Sequence, residues 1–199
     1  MIRIYGNVVP SEVDGPGVRA VVHFAGCSIG CPGCFNPHTH SSSVFAPGVR
    51  EIEAWRLADE ILAVSKSVTI SGGEPTDQIE DLWQLLFCLR RRGCEDIVMF
   101  TGRKIEWLRT YRGATWAGIE QDKMVDVVID GPYIAKLDEK NPVMRGSSNQ
   151  RVICLTGRWT EDDFMQRETQ IEIIDGRVVV TGFPDQSLRD ILSSLGETL

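Results

Sequence analysis

The sequence predicts an α/β fold built of parallel βαβ units. Three observations carry this. Short β-branched runs alternate with amphipathic helical stretches, four of those runs end on a glycine-bearing loop, and a hairpin pattern with a last amphipathic stretch appears only beyond residue 155.

Residues 18–25 (VRAVVHFA) are β-branched and apolar and read as a buried strand that runs straight into a cysteine-rich loop. After a polar connection at 41–47, residues 51–64 have helical spacing, with Trp55, Ala58, Ile61 and Leu62 on one face. Residues 67–71 (SVTIS) form a short strand stopped by Gly72 and Gly73. Asp77 and Glu80 stand at the spacing of a capping box. The helix behind them buries Ile79, Leu82, Leu85, Leu86 and Leu89 before Gly93 ends it. A strand at 96–101 (DIVMFT), a short helix at 105–111 and a strand at 125–130 (VDVVID) follow, the last stopped by Gly131 and Pro132. Residues 171–174 and 177–181 then flank Asp175 and Gly176, a hairpin pattern, and Leu188, Ile191, Leu192 and Leu195 mark an amphipathic helix. No repeat or linker separates a second unit, so 1–199 reads as one domain with 155–199 packed on it as an extension.

Composition narrows the function classes. The chain is 42% hydrophobic and 25% charged, an ordinary globular balance, with a formal net charge of −7. The one dense basic run, 90–92, fits a helix C-terminus, so nucleic acid is not an expected partner. No apolar run is long enough to span a membrane, and the first residues have no signal-peptide core. The expectation is a cytoplasmic protein without a membrane partner.

Six cysteines stand at 27, 31, 34, 88, 94 and 154. The first three form C-x3-C-x2-C, which in a reducing compartment points to metal or catalysis rather than disulfides. Thiolates suit zinc or iron–sulfur clusters. Three cysteines leave one iron of a four-iron cluster open, which is how a metal site keeps a place for substrate. With His38 or His40 as fourth ligand, the same residues would suit a structural zinc. Cys88 and Cys154 lie in apolar patterns and Cys94 in a turn, and all three read as inert. In parallel β/α folds ligands bind where strands end. The cysteine loop, Gly72-Gly73-Glu74, Thr101-Gly102 and Asp130-Gly131-Pro132 are therefore expected to meet at one site.

The cysteine motif is followed by Phe35 and Asn36, and Ser71-Gly72-Gly73-Glu74-Pro75 ends the next strand. Together these resemble the radical S-adenosylmethionine superfamily. Asp14-Gly15-Pro16-Gly17-Val18-Arg19 and Cys31-Pro32-Gly33-Cys34-Phe35-Asn36-Pro37 resemble its glycyl-radical-enzyme activases. Thr101-Gly102, Asp130-Gly131-Pro132 and 145–151 (RGSSNQR) are most similar to the activases of anaerobic (class III) ribonucleoside-triphosphate reductase, and the likeness covers roughly 1–155. The resemblance implies a partial, open parallel β/α barrel. It implies a [4Fe–4S] cluster on Cys27, Cys31 and Cys34, with S-adenosyl-L-methionine as second cofactor. Reductive cleavage would give a 5′-deoxyadenosyl radical that takes hydrogen from a backbone glycine of a large glycyl-radical enzyme, the anaerobic ribonucleotide reductase. An external donor such as flavodoxin or ferredoxin would supply the electron. The implied cofactor pocket comprises Gly33, Phe35, Asn36, Gly72, Gly73, Glu74, Thr101 and Asp130. In it Gly72 and Gly73 let backbone approach the ligand. Glu74 accepts from its ammonium, Phe35 packs on adenine, and Asp130 either reaches the ligand or caps its own loop. Two other readings stay open: a radical enzyme acting on a small molecule, and a zinc-stabilised binding module.

Residues 136–149 are polar, hold Pro142 and Gly146, and show no periodicity. A loop this long is usually functional or disordered. It should border the mouth of the site, with Arg145, Ser147, Asn149, Gln150 and Arg151 as candidate contacts to a partner backbone.

Overall fold

The computed structural model describes residues 1–174 and 177–194. It opens with a strand that the sequence pattern hides. β1 (Ile2–Ser11) carries Gly6 and Pro10, and its register shifts between Tyr5 and Val9, so a bulge breaks the alternation that would reveal it. β1 pairs antiparallel with β2 (Arg19–Phe24) on one side and with β3 (Val49–Ile52) on the other. The helical stretch expected from residue 51 starts later, as α1 (Ala54–Val64). Leu57, Ala58 and Ile61 face its core, while Trp55 lies 45% exposed.

β4 (Ser67–Gly72), α2 (Ile79–Arg91) and β5 (Asp96–Thr101) follow as predicted, and Gly93 turns the chain at φ +85°. The capping box does not form. Residues Pro75–Gln78 make a 3-10 turn ahead of α2, and the Asp77 carboxylate instead accepts the Ser28 N–H and hydroxyl at 2.7 and 2.9 Å. α3 (Ile105–Tyr111) is joined by a second short helix, α4 (Gly113–Gln121), whose Trp116 is fully buried. β6 (Val127–Asp130) and the antiparallel β7 (Arg151–Cys154) complete a seven-stranded sheet of order β3-β1-β2-β4-β5-β6-β7. Its centre, β2-β4-β5-β6, is parallel, so four strand ends point to one side.

Arg19 anchors the Asp14–Arg19 turn. Its guanidinium is fully buried, pairs with Asp96 at 2.7 Å, and donates to Thr69, Pro16 and Val68. Gly15, at φ +148°, passes over it where a Cβ would lie 2.7 Å from Arg19 Nε. Removing one partner from such a fully buried pair costs about 3–5 kcal/mol.

The extension forms a separate antiparallel hairpin, β8 (Thr169–Ile174) and β9 (Arg177–Gly182), and then α5 (Gln186–Ser194). The expected turn residues Asp175 and Gly176, Leu195 and the side chain of Leu192 lie outside the described residues. The hairpin bridges two rims of the sheet. On the β1 side, the Glu12 N–H meets Gln170 at 2.8 Å, Ser11 meets Thr181 at 3.1 Å, and Gln166 meets the Gly15 carbonyl at 3.1 Å. On the β6 side, Arg167 reaches Asp138 and the Arg145 carbonyl, both at 3.3 Å. Phe164 seals a second small core with Val98, Ile129 and Met144.

Candidate active site

The strand ends converge as the topology requires. The loop after β2 is pinned by its own backbone: Gly26 and Cys27 donate to the carbonyls of Thr39 and His40, and Gly73 and Glu74 donate to those of Phe24 and Gly26. Cys27, Cys31 and Cys34 line one cavity with Ser71, Gly72, Gly73, Glu74, Thr101 and Gly102. Beside that cavity lies a second, lined by Asp14, His23, Phe35, Asn36, Gly146 and the 180–184 stretch of the extension. Cys34, Ser71, Phe100, Tyr133 and Gln150 border both.

The donor set fits an iron–sulfur cluster. All three thiols are free. Burial pushes the Cys31 and Cys34 thiols up, against a backbone N–H on each, from Tyr133 and Asn36. His38 packs at a tilt against Tyr5, with ring centroids 4.4 Å apart, and burial lowers its pKa to about 4. His40 borders the cysteine cavity with a buried Nε2 that has no hydrogen-bond partner.

Glu74 is fully buried, and its carboxylate ties two strand ends together. It accepts from the Thr76 N–H and hydroxyl, from the Thr101 hydroxyl at 2.8 Å, and from the Gly102 N–H at 2.8 Å. Burial raises its pKa against these bonds. Gly72 and Gly73 serve the protein's own packing. A Cβ on Gly72 would stand 2.5 Å from the Phe24 backbone, and one on Gly73 would collide with the Gly26 carbonyl. Their small size lets the β2 and β4 strand ends close on each other, and both glycines line the cysteine cavity. Phe35 faces Tyr133 and Phe183 edge-on, and the Arg189 guanidinium of α5 lies 4.3 Å above it.

Asp130 stands apart from the cleft. Its buried carboxylate caps α3 through the Ile105 N–H at 2.8 Å and pairs with Arg151, which also holds Glu106. The loop at 136–149 is tied internally. Gln150 accepts from Gly146 and Ser147 and donates to Gly131. Arg145 holds Glu139 and the Gln150 carbonyl, and the Ser147 hydroxyl takes the Ile134 N–H. Asn149 donates to Pro132 but leaves a buried Oδ1 without a partner. Of this group only Gln150 borders both cavities.

A family model described as a 4Fe-4S single cluster domain matches residues 13–153. The anaerobic ribonucleoside-triphosphate reductase-activating protein of Enterobacteria phage T4 is 32% identical over 166 residues, spanning 79% of this chain and 99% of that protein. Its counterpart from Salmonella typhimurium is 30% identical over 146 residues, 70% of this chain and 90% of that protein. The chain belongs to the glycyl-radical activases of the radical S-adenosylmethionine superfamily. The pyruvate formate-lyase-activating enzyme of Clostridium pasteurianum is also similar, at 34% over 109 residues, 51% of this chain and 44% of that enzyme. As an activase of this superfamily, the protein is an enzyme whose cofactors are a [4Fe–4S] cluster and S-adenosylmethionine. Among the described residues, no helix is long and apolar enough to cross a membrane.

Several residues of the activase cleft were not foreseen: Asp14, His23, Phe100, Tyr133 and the 180–184 stretch. Asp14 and Tyr133 had a signal, since one opens the Asp-Gly-Pro-Gly turn and the other follows Gly131-Pro132. His23 and Phe183 had none, because only strand pairing and the return of the hairpin bring them to the cleft.

Proposed function

We propose that this chain generates a glycyl radical on an anaerobic ribonucleoside-triphosphate reductase. One observation carries the reading: the three cysteines and the Gly72–Glu74 and Thr101–Gly102 strand ends line one cavity, which shares five of its lining residues with a second. When bound, the reduced cluster and S-adenosylmethionine supply a 5′-deoxyadenosyl radical able to take a hydrogen atom from a glycine Cα. Cys27, Cys31 and Cys34 each hold one iron, and the Tyr133 and Asn36 N–H groups steady two of the thiolates. Glu74 keeps the β4 and β5 ends in register, so the methionine end of the cofactor meets a fixed backbone. Phe35, Phe100 and Tyr133 exclude water from the cleft. Gly33, Asn36, Gly72, Gly73 and Thr101 shape the remaining wall, while Asp130 acts through α3 and Arg151.

The parallel centre and antiparallel edges of the sheet support a partial, open barrel, with 1–199 acting as one unit through the contacts of its extension. The names of the most similar relatives support the reductase as partner. In the 145–151 segment, Gln150, Arg145, Ser147 and Arg151 hold the loop beside the cleft, and Asn149 ties it to Pro132, so this segment would meet the partner through the shape of the loop it fixes. An external one-electron donor of the flavodoxin or ferredoxin type and a cytoplasmic setting complete the reading; thiols free of disulfides suit such a compartment. The test is electron paramagnetic resonance of the reductase after anaerobic incubation with reconstituted activase, S-adenosylmethionine and a reductant. A glycyl-radical signal matched by 5′-deoxyadenosine release is expected. Cofactor cleavage without any radical on the reductase would refute the assignment.

A further inference from the structure

The register of the extension hairpin decides which way its backbone groups point. The Phe183 N–H donates to the Glu168 carbonyl at 2.8 Å. Along the ladder, Gly182 faces Thr169, Thr181 faces Gln170, Val180 faces Ile171 and Val179 faces Glu172. Hydrogen-bonded and non-bonded pairs alternate in an antiparallel ladder. Val179 and Thr181 therefore turn their N–H and C=O groups to β8, and Val178, Val180 and Gly182 turn theirs outward. Gly182 marks where that outward edge faces, because its N–H meets the Asp14 carboxylate on the opposite rim of the cleft. Val180 is buried to 7% exposure and lines the same cleft. The hairpin sheet has only two strands, and among the described residues no other element bonds to the outward groups of Val178 and Val180.

An unpaired strand edge is a template for another chain, and proteins usually blunt or cover it. Here it is kept, and it borders the cavity that shares Cys34, Ser71 and Phe100 with the cysteine site. A glycine offers an enzyme no side chain, only the amide groups on either side of a bare Cα. Backbone pairing along a strand edge reads that feature, fixing register and the face that each residue presents.

Resting on the reading of the chain as an activase, we propose that the outer edge of β9 takes an extended segment of the partner's glycine-bearing loop as a third strand and so sets the glycine in the cleft. The recognition is by backbone, through Val178 and Val180. It belongs to this chain's extension, which lies beyond the 13–153 span matched by the family model.

Proline at position 180 deletes an outward N–H and leaves the β8–β9 ladder its bonds. Val180→Pro is expected to raise the KM for the reductase in glycyl-radical formation about fivefold, the worth of one backbone hydrogen bond. Cluster absorbance and circular dichroism report folding. Residue-resolved hydrogen exchange on the wild-type holoenzyme gives a second reading that needs no variant. Addition of the reductase should slow the amides of Val178 and Val180 and leave those of Val179 and Thr181, already bonded to β8, as they were. If the reductase gains its radical while Val178 and Val180 exchange as they do without it, edge pairing is overturned and the activase reading stands. An unchanged KM in a folded Val180→Pro protein would overturn it equally. If the wild-type enzyme raises no radical on the reductase at all, both readings fall.

Discussion

On the strand-end wall of the cleft, polar groups are tied to neighbouring backbone. Glu74 is fully buried and joins β4 to β5, and Gly73 and Glu74 are bonded to the Phe24 and Gly26 carbonyls. The wall made by the extension is held differently. Its contacts to the body near the cleft are a few side-chain bonds, such as Ser11 to Thr181 and Glu12 to Gln170, and aromatic contacts of Phe183 with Phe35 and Phe100 at 6.1 and 6.2 Å. Ile171 and Ile173 on β8 stay 55% and 76% exposed. The difference teaches that the cofactor side is fixed by backbone bonds, whereas the far side is held by side chains and leaves apolar surface open. A preorganised site needs the first property, and a protein-sized target needs the second.

The comparison breaks first at Gly73. A Cβ there collides with the Gly26 carbonyl and stands 3.0 Å from that of Thr39. Gly73→Val should therefore destabilise the whole protein by about 4 kcal/mol or more. Urea denaturation checks this. A stable variant that merely binds S-adenosylmethionine poorly would show that the glycine serves the ligand after all.

His23 tests the same wall by pH. Burial lowers its pKa to about 4, against about 6.5 in an unfolded chain. Above pH 6.5 it is neutral in both states and costs nothing. As pH falls through 6.5, the unfolded chain takes up a proton that the folded chain refuses, so stability drops until about pH 4. Between pH 7 and 5 the wild type should lose about 2 kcal/mol more than His23→Phe. Parallel pH slopes in denaturation midpoints would mean that His23 is solvated.

The smallest effect is expected on the other wall. Phe183→Ala removes an aromatic contact from a half-buried position and should cost about 1–2 kcal/mol. Iron content should match the wild type, because the backbone bonds of the cysteine loop come from β2, the β4 end and residues 39–40, and the variant keeps the Arg189 contacts of the extension to Gly33 and Phe35. Loss of iron in this variant would tie the two walls together.

Much of this was legible in the sequence where local chemistry decides structure. The β-branched runs at 19–24, 67–72, 96–101 and 127–130 became the parallel strands, and the cysteine loop met Gly72–Glu74 and Thr101–Gly102 because all leave strand ends. Asp130 leaves a strand end as well, yet its carboxylate turns to the α3 N-terminus and Arg151, a choice made by residues 25 and 21 positions away. β1 was hidden by its bulge, and the backbone that the two cleft glycines approach could not be read locally because strand pairing brings it in. The hairpin could be read at 171–181, but not its return to the cleft, which rests on contacts 151 and 170 residues apart, Gln166 with Gly15 and Ser11 with Thr181.

The central claim is that Cys27, Cys31 and Cys34 jointly hold one iron–sulfur cluster at the strand ends. Metal and sulfide analysis of anaerobically purified protein tests it most directly, on the wild type and on each single Cys→Ala variant. The account predicts iron and inorganic sulfide in equal amounts, about four of each per chain. Both should be lost in each of the three variants and kept in Cys88→Ala. Stoichiometric zinc without sulfide, or full iron retention in Cys31→Ala, would contradict it.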